Sequence, residues 1–172
     1  YTIVDGPSWT EAEDQSQRLG GHLVTINDQV ENAWLASNER KDFKGKWIGY
    51  YQESSNSGYK WISGEDSTYS NWAPGFPDFP ASEFYAYLGA LQWFDAGNNG
   101  YGNMSNPKGI AEIPFIRRGD SAYVIVEGPT WEEAEANAVK LGGHLVTIND
   151  EEENDWLKSN FNSYISQSSG GA

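Results

Sequence analysis

Few residues in this chain are equipped for covalent or acid–base chemistry, and their placement argues against catalysis. There is no cysteine, so neither a thiol nucleophile nor a disulfide framework is available. The 2 histidines, His22 and His144, occupy the same position in a stretch that occurs twice, Gly-Gly-His-Leu-Val-Thr-Ile-Asn-Asp at 20–28 and again at 142–150. A histidine repeated inside an apolar stretch reads as a packed, hydrogen-bonded side chain rather than a general base. No nucleophile-and-base pairing and no glycine-rich phosphate loop is visible, and nothing points to catalysis by acids alone. The chain is instead rich in acids and aromatics. Asp and Glu number 25 against 11 Lys and Arg, for a net charge of −14, and 15% of residues are aromatic. That charge argues against nucleic acid or an anionic membrane as partner. No apolar run approaches membrane-spanning length.

The repeat sets the organisation. Tyr1 to Asn38 matches Tyr123 to Asn160 at a constant offset, the signature of a repeated unit. We expect one complete domain over 1–116, a linker at 117–122, and the N-terminal part of a second repeat over 123–172. The chain reads as a mature fragment or a piece of something longer.

Within the unit, Tyr1–Val4 is predicted as an edge strand. Ser8-x-x-Glu11 is a capping box for a helix reaching about Leu19, with Trp9, Ala12 and Leu19 on one face. Gly20 and Gly21 permit the exit from that helix, and His22–Ile26 is a short buried segment. Asp28-x-x-Glu31 starts a second helix, with Trp34 and Leu35 expected to face inward. Strands are expected at Trp47–Tyr50, Tyr59–Ile62, Glu83–Leu88, Leu91–Asp95 and Gly109–Phe115. The fold class is α+β. A long Gly/Pro-rich loop covers about 63–81, and loops of that length in a compact domain are usually functional. Aromatics crowd this region: Phe76, Phe79, Phe84, Tyr85, Trp93, Phe94 and Tyr101. Trp72 and Trp93 are expected to pack beneath the loops. Arg-Gly-Asp at 118–120 is too short a motif to be specific.

The landmarks, in order, are Trp9, Gly-Gly-His-Leu-Val-Thr-Ile, Glu31, Trp47-Ile-Gly49, Trp61 with Gly64, Asn71-Trp72 and the closing Gly109-Ile-Ala-Glu112-Ile-Pro114. Together they resemble a C-type lectin-like domain over about 1–115, of the cysteine-free kind found in bacteria and phages. The resemblance implies a double-looped fold whose long loop carries calcium and ligand, in an extracellular or surface-displayed binding module that is not an enzyme. Sugar-binding members use Glu-Pro-Asn or Gln-Pro-Asp, a further acid, and Trp-Asn-Asp. Here Phe76-Pro77-Asp78, Glu83 and Trp93-Phe94-Asp95 match. Asp78, Glu83 and Asp95 are retained as calcium ligands, while Phe76 and Phe94 replace two ligand positions, so any calcium there is expected to be weak. A second family calcium position maps to Glu31 and Glu112. For Glu31 the alternative is its capping role, which needs no metal.

Phe76, Phe79 and Phe94 replace or flank polar positions and are expected to form a contact surface for a protein or glycan ligand. The competing reading is a structural repeat of a filament, sheath or fibre whose neighbours self-associate. The second copy lacks counterparts of Trp47 to Phe115, so Trp131, Leu141, Trp156 and Leu157 have nothing to bury against. We expect the polypeptide to continue into a strand resembling Trp-Ile-Gly.

Overall fold

In the computed structural model, which describes residues 1–38, 45–55, 57–79, 81–100 and 107–165, local sequence signals set the first helix. Ser8 Oγ accepts the Glu11 N–H at 3.2 Å and donates to the Glu11 carboxylate at 2.6 Å. This closes the capping box at the start of α1, Trp9–Arg18. Trp9, Ala12, Glu13 and Ser16 fall on one stripe and are buried. Gly20, at φ +85°, ends the helix. Asp28 caps α2, Gln29–Asn38, by accepting the Glu31 N–H at 2.8 Å.

Seven strands form one mixed sheet around these helices. They are β1 (Thr2–Asp5), β2 (His22–Leu23), β3 (Lys46–Tyr51), β4 (Lys60–Trp61), β5 (Tyr85–Gly89), β6 (Gln92–Ala96) and β7 (Lys108–Glu112). The main order is β1-β7-β3-β5-β6, with β2 on β7 and β4 on β3. First and last strands of the unit lie side by side, antiparallel, with Ile3 opposite Ile110. This pairing brings the two ends of the unit together.

Two apolar clusters hold the sheet. One gathers Trp9, Leu23 and Trp47 between α1 and the sheet. The other places Val24, Ile26, Leu35, Ile48 and Trp93 under the long loop. Burying each of these larger side chains contributes about 2–3 kcal/mol. Two buried indoles find acceptors: Trp9 Nε1 donates to the Ile48 carbonyl and Trp93 Nε1 to Asn32 Oδ1, both at 2.8 Å; buried Trp47 Nε1 has none among the described residues.

One expectation needs correction. Trp34 does not face inward; it is half exposed and packs on Tyr1, with ring centroids 5.4 Å apart. The expected linker at 117–122 lies within an antiparallel hairpin, β8 (Ile116–Arg118) and β9 (Ser121–Tyr123), closed by Gly119 and Asp120. The Arg118 guanidinium reaches Glu152 at 3.4 Å and Glu153 at 3.8 Å. Helices α3 (Trp131–Lys140) and α4 (Glu151–Ile165) repeat α1 and α2. Val124–Val126, which corresponds to part of β1, forms no strand. It lies across the C-terminal end of α1 instead, where the Glu127 N–H donates to the Arg18 carbonyl at 3.0 Å. No helix of the described residues is long and apolar enough to cross a membrane.

Candidate functional site

Backbone pairing brings the site together. The Trp93 N–H donates to the Asn71 carbonyl and the Ala73 N–H to the Trp93 carbonyl, both at 2.9 Å. These bonds pin the middle of the long loop along β6. The chain then turns at Gly75 (φ +89°) and passes a cis peptide at Phe76–Pro77. Asp78 arrives above β6, where its N–H donates to Asp95 Oδ1 at 3.3 Å. A tight turn follows, the Glu83 N–H donating to the Phe79 carbonyl at 2.9 Å. That turn returns Glu83 to the same place. Asp95 itself sits in the middle of the β5–β6 ladder, opposite Ala86.

Asp78, Glu83 and Asp95 therefore converge, each offering a carboxylate oxygen, with these atoms within 4.8 Å of one another. Asp78 is exposed, Glu83 half-buried and Asp95 0% exposed. Glu83 Oε2 and Asp95 Oδ2 are buried and have no hydrogen-bond partner among the described residues. Burial raises the pKa of Glu83 above the ordinary carboxylate range, and the charges of Asp95 and Asp78 raise it further. Burial likewise raises that of Asp95, against lowering by backbone N–H donors that include Asp78. Burial raises the Tyr59 hydroxyl, with the charges of Asp95 and Glu83 adding to it. At an effective dielectric of about 20, two carboxylates this close repel by roughly 3 kcal/mol when both are ionised. Buried oxygens without partners, gathered by the fold against their own repulsion, fit a hard divalent cation. Asp78, Glu83 and Asp95 could hold a metal ion there, which would neutralise their charge.

The aromatic positions divide. Phe79 is 52% exposed. Phe76 and Phe94 are half-buried against each other at 4.9 Å, and Phe94 stacks on Tyr87 at 5.4 Å. Trp93 is fully buried and Trp72 packs on it, as expected for rings under the loop. Tyr85 stacks on Trp9 at 4.8 Å, while Phe84 is half-buried. Tyr101 lies outside the described residues.

Glu31 and Glu112 do not join a cluster of three converging acids; among the described residues only the loop group does so. Glu31 accepts the Asn27 N–H at 2.8 Å and the Tyr1 hydroxyl. Glu112 has its pKa raised by burial, then by Glu31 and Glu65. His22 is a structural clamp: its Nδ1 lies 2.6 Å from Glu13 Oε1, while Glu13 Oε2 accepts the Leu23 N–H at 2.9 Å. Sequence reasoning missed Glu13. The signal was present, because Glu135 stands in the same relation to His144 and Leu145, at 2.6 and 2.9 Å.

Known proteins share this fold. The C-type lectin domain family matches residues 5–104. A perlucin-like protein from Mytilus galloprovincialis is 35% identical over 78 residues, which cover 43% of this chain and 50% of that protein. The mouse (Mus musculus) secretory phospholipase A2 receptor is 25% identical over 177 residues, covering 83% of this chain and 12% of the receptor. The chain thus spans half the length of the first relative and much less of the second. Among solved structures, the cow carbohydrate-recognition domain of CD23, determined in the presence of a GlcNAc2Man3 oligosaccharide, superposes with a TM-score of 0.51. It is 27% identical, and the match covers 57% of this chain and 77% of that one. A family match over more than half the chain, a shared fold and a loop-borne acidic site together place the protein: it belongs to the C-type lectin domain family, whose members are non-enzymatic ligand-binding modules.

Proposed function

We propose that this chain is an extracellular or surface-displayed recognition module, of cysteine-free bacterial or phage type, acting in adhesion. Its long loop binds ligand beside a weakly held calcium ion. The observation that carries this reading is the convergence of Asp78, Glu83 and Asp95 with two buried, unpartnered carboxylate oxygens. We assign the cation to this cluster alone, because the Glu31 carboxylate is already engaged by Asn27 and Tyr1. Phenylalanines at 76 and 94, where sugar-binding relatives have polar ligands, favour an apolar contact over capture of vicinal sugar hydroxyls. Phe79, exposed at the rim, is the anchor for that contact. The ligand is therefore a protein surface or a glycan that offers an apolar face.

The test is a binding screen against immobilised glycans, mannose- and GlcNAc-containing oligosaccharides among them, and against candidate surface proteins, with calcium and with chelator. The expected hit depends on calcium and weakens about tenfold or more in Phe79→Ala, which corresponds to a hot-spot loss of about 1.4 kcal/mol or more. Hits indifferent to both would contradict the reading. One observation favours a second reading, a repeat within a filament or fibre. The two copies touch directly, the Ile125 carbonyl lying over Gly20 where a Cβ would come within 2.0 Å.

A further inference from the structure

The internal repeat lets residues of the first copy be compared with their own counterparts. Tyr1, Glu31 and Trp34 correspond to Tyr123, Glu153 and Trp156. The two triads make the same contacts. The Glu31 carboxylate accepts the Asn27 N–H at 2.8 Å and the Tyr1 hydroxyl, and the Tyr1 and Trp34 rings lie 5.4 Å apart. The Glu153 carboxylate accepts the Asn149 N–H at 2.9 Å and the Tyr123 hydroxyl at 3.2 Å, and the Tyr123 and Trp156 rings lie 4.9 Å apart. In the second copy the triad holds a cation. The Arg118 guanidinium, carried by β8, places its Cζ 5.5 Å from the centre of the Trp156 ring. One of its nitrogens lies 3.8 Å from Glu153 and the other 3.4 Å from Glu152. A guanidinium set over an indole and paired with carboxylates uses its flat face and its N–H edge at once.

Burial records the difference between the copies. Core positions of the second copy are more exposed than their counterparts, as with Trp131 at 67% against Trp9 at 4%. The triad reverses that trend. Glu153 is buried and Tyr123 and Trp156 are half-buried, whereas Glu31 is half-buried and Tyr1 and Trp34 are 54% and 51% exposed. Acids surround the first triad as well. Val30 stands where the second copy has Glu152, but Glu65 and Glu112 supply charge from other elements. Partial burial and the Glu31 hydrogen bond raise the pKa of the Tyr1 hydroxyl, and the charges of Glu112 and Glu65 raise it further. Among the described residues these acids do not converge as the loop acids do. A guanidinium is broader than a metal ion and offers five N–H donors to spread among them.

We propose that Tyr1, Glu31 and Trp34 form a binding site for an arginine side chain presented by a basic protein partner. The second copy shows the chemistry of the occupant, and a basic partner complements the net charge of −14. The site uses none of the loop acids Asp78, Glu83 and Asp95.

The test is an NMR titration of the 172-residue chain with hexa-arginine and hexa-lysine peptides, which carry equal charge. Affinity is read from the Trp34 indole N–H resonance, identified by its loss in Trp34→Phe. The expected result is a shift of that resonance and roughly fivefold or tighter binding of the arginine peptide over the lysine peptide. Glu31→Gln, which keeps an oxygen for the Asn27 N–H, should weaken the arginine peptide about fivefold and leave the melting temperature unchanged. In Arg118→Ala the Trp156 indole, identified likewise by Trp156→Phe, should respond to the arginine peptide as Trp34 does. The shift in the parent chain needs no variant, so it decides the matter even where a substitution disturbs folding. Three results would each overturn the proposal: equal affinity for the two peptides, which would reduce binding to bulk charge; a Trp34 resonance that does not move; or a Trp156 resonance that stays unresponsive in Arg118→Ala.

Discussion

Burial makes ionisation of Asp95 and Glu83 costly, and this gives the loop a distinct pH signature. Their folded-state pKa values are raised, so the folded protein holds these protons more tightly than the unfolded chain. The stability they contribute is fully present below the ordinary carboxylate range, about pH 4, and is lost as pH rises through the raised values. Asp95→Asn keeps an oxygen for the Asp78 N–H and removes the charge. In chelator it should melt no lower than the parent at pH 7, and its melting temperature should fall less between pH 5 and pH 7; thermal scans at both pH values check this. A steeper fall in the variant would mean that the Asp95 charge is stabilising. The phenylalanines separate by packing. Phe94→Ala removes a ring held between Phe76 and Tyr87 and should cost about 2 kcal/mol in urea unfolding. Phe79→Ala should stay within about 0.5 kcal/mol of the parent. Comparable losses from both would make Phe79 a core residue.

At the scale of elements, the legible features were the local ones. Helix caps, glycine exits and the alternation of β3 depend on neighbours a few residues away, and the sequence displays them directly. Trp34 was misread because α2 is amphipathic only in part; the rings of Tyr1 and Trp34 meet outside the core. The hairpin at 116–123 was not expected within the linker because its residues are charged, although Gly119-Asp120 between short runs was a turn signal. The convergence of Asp78, Glu83 and Asp95 was not legible in their spacing. It depends on the loop being pinned to β6 through Asn71, Ala73 and Trp93, and only the family resemblance pointed to it. Glu13 serves the same scale by joining α1 to β2. Glu13→Ala leaves the buried Leu23 N–H without its acceptor and should cost about 2 kcal/mol. Glu135→Ala should leave the main unfolding transition within about 0.5 kcal/mol. Chemical denaturation of both variants checks the contrast, and equal losses would contradict it.

At the scale of the whole molecule, an apolar stretch that is buried in the first copy is half exposed in the second, Val24 and Ile26 at 0% against Val146 and Ile148 at 49% and 51%, and the repeat alone makes that comparison visible in the sequence. The copies meet through Val124–Val126 against the end of α1, a backbone hydrogen bond from Glu127 to Arg18, and Leu141, which packs at the edge of the first copy's Trp9–Leu19 cluster. The first domain should keep its fold and its loop site when the chain is cut after Phe115. Near-ultraviolet circular dichroism of that truncation should retain the aromatic signature of its packed tryptophans, and loss of the signal would show that the second copy is needed for folding. The central claim, a cation held by the loop acids, is tested most directly by calorimetric titration of calcium into the 172-residue chain at pH 7. The expected result is one site per chain with a dissociation constant of about 10⁻⁴ to 10⁻³ M, and no binding by Asp95→Asn. No binding to the parent, sub-micromolar binding, or binding that Asp95→Asn retains would contradict it.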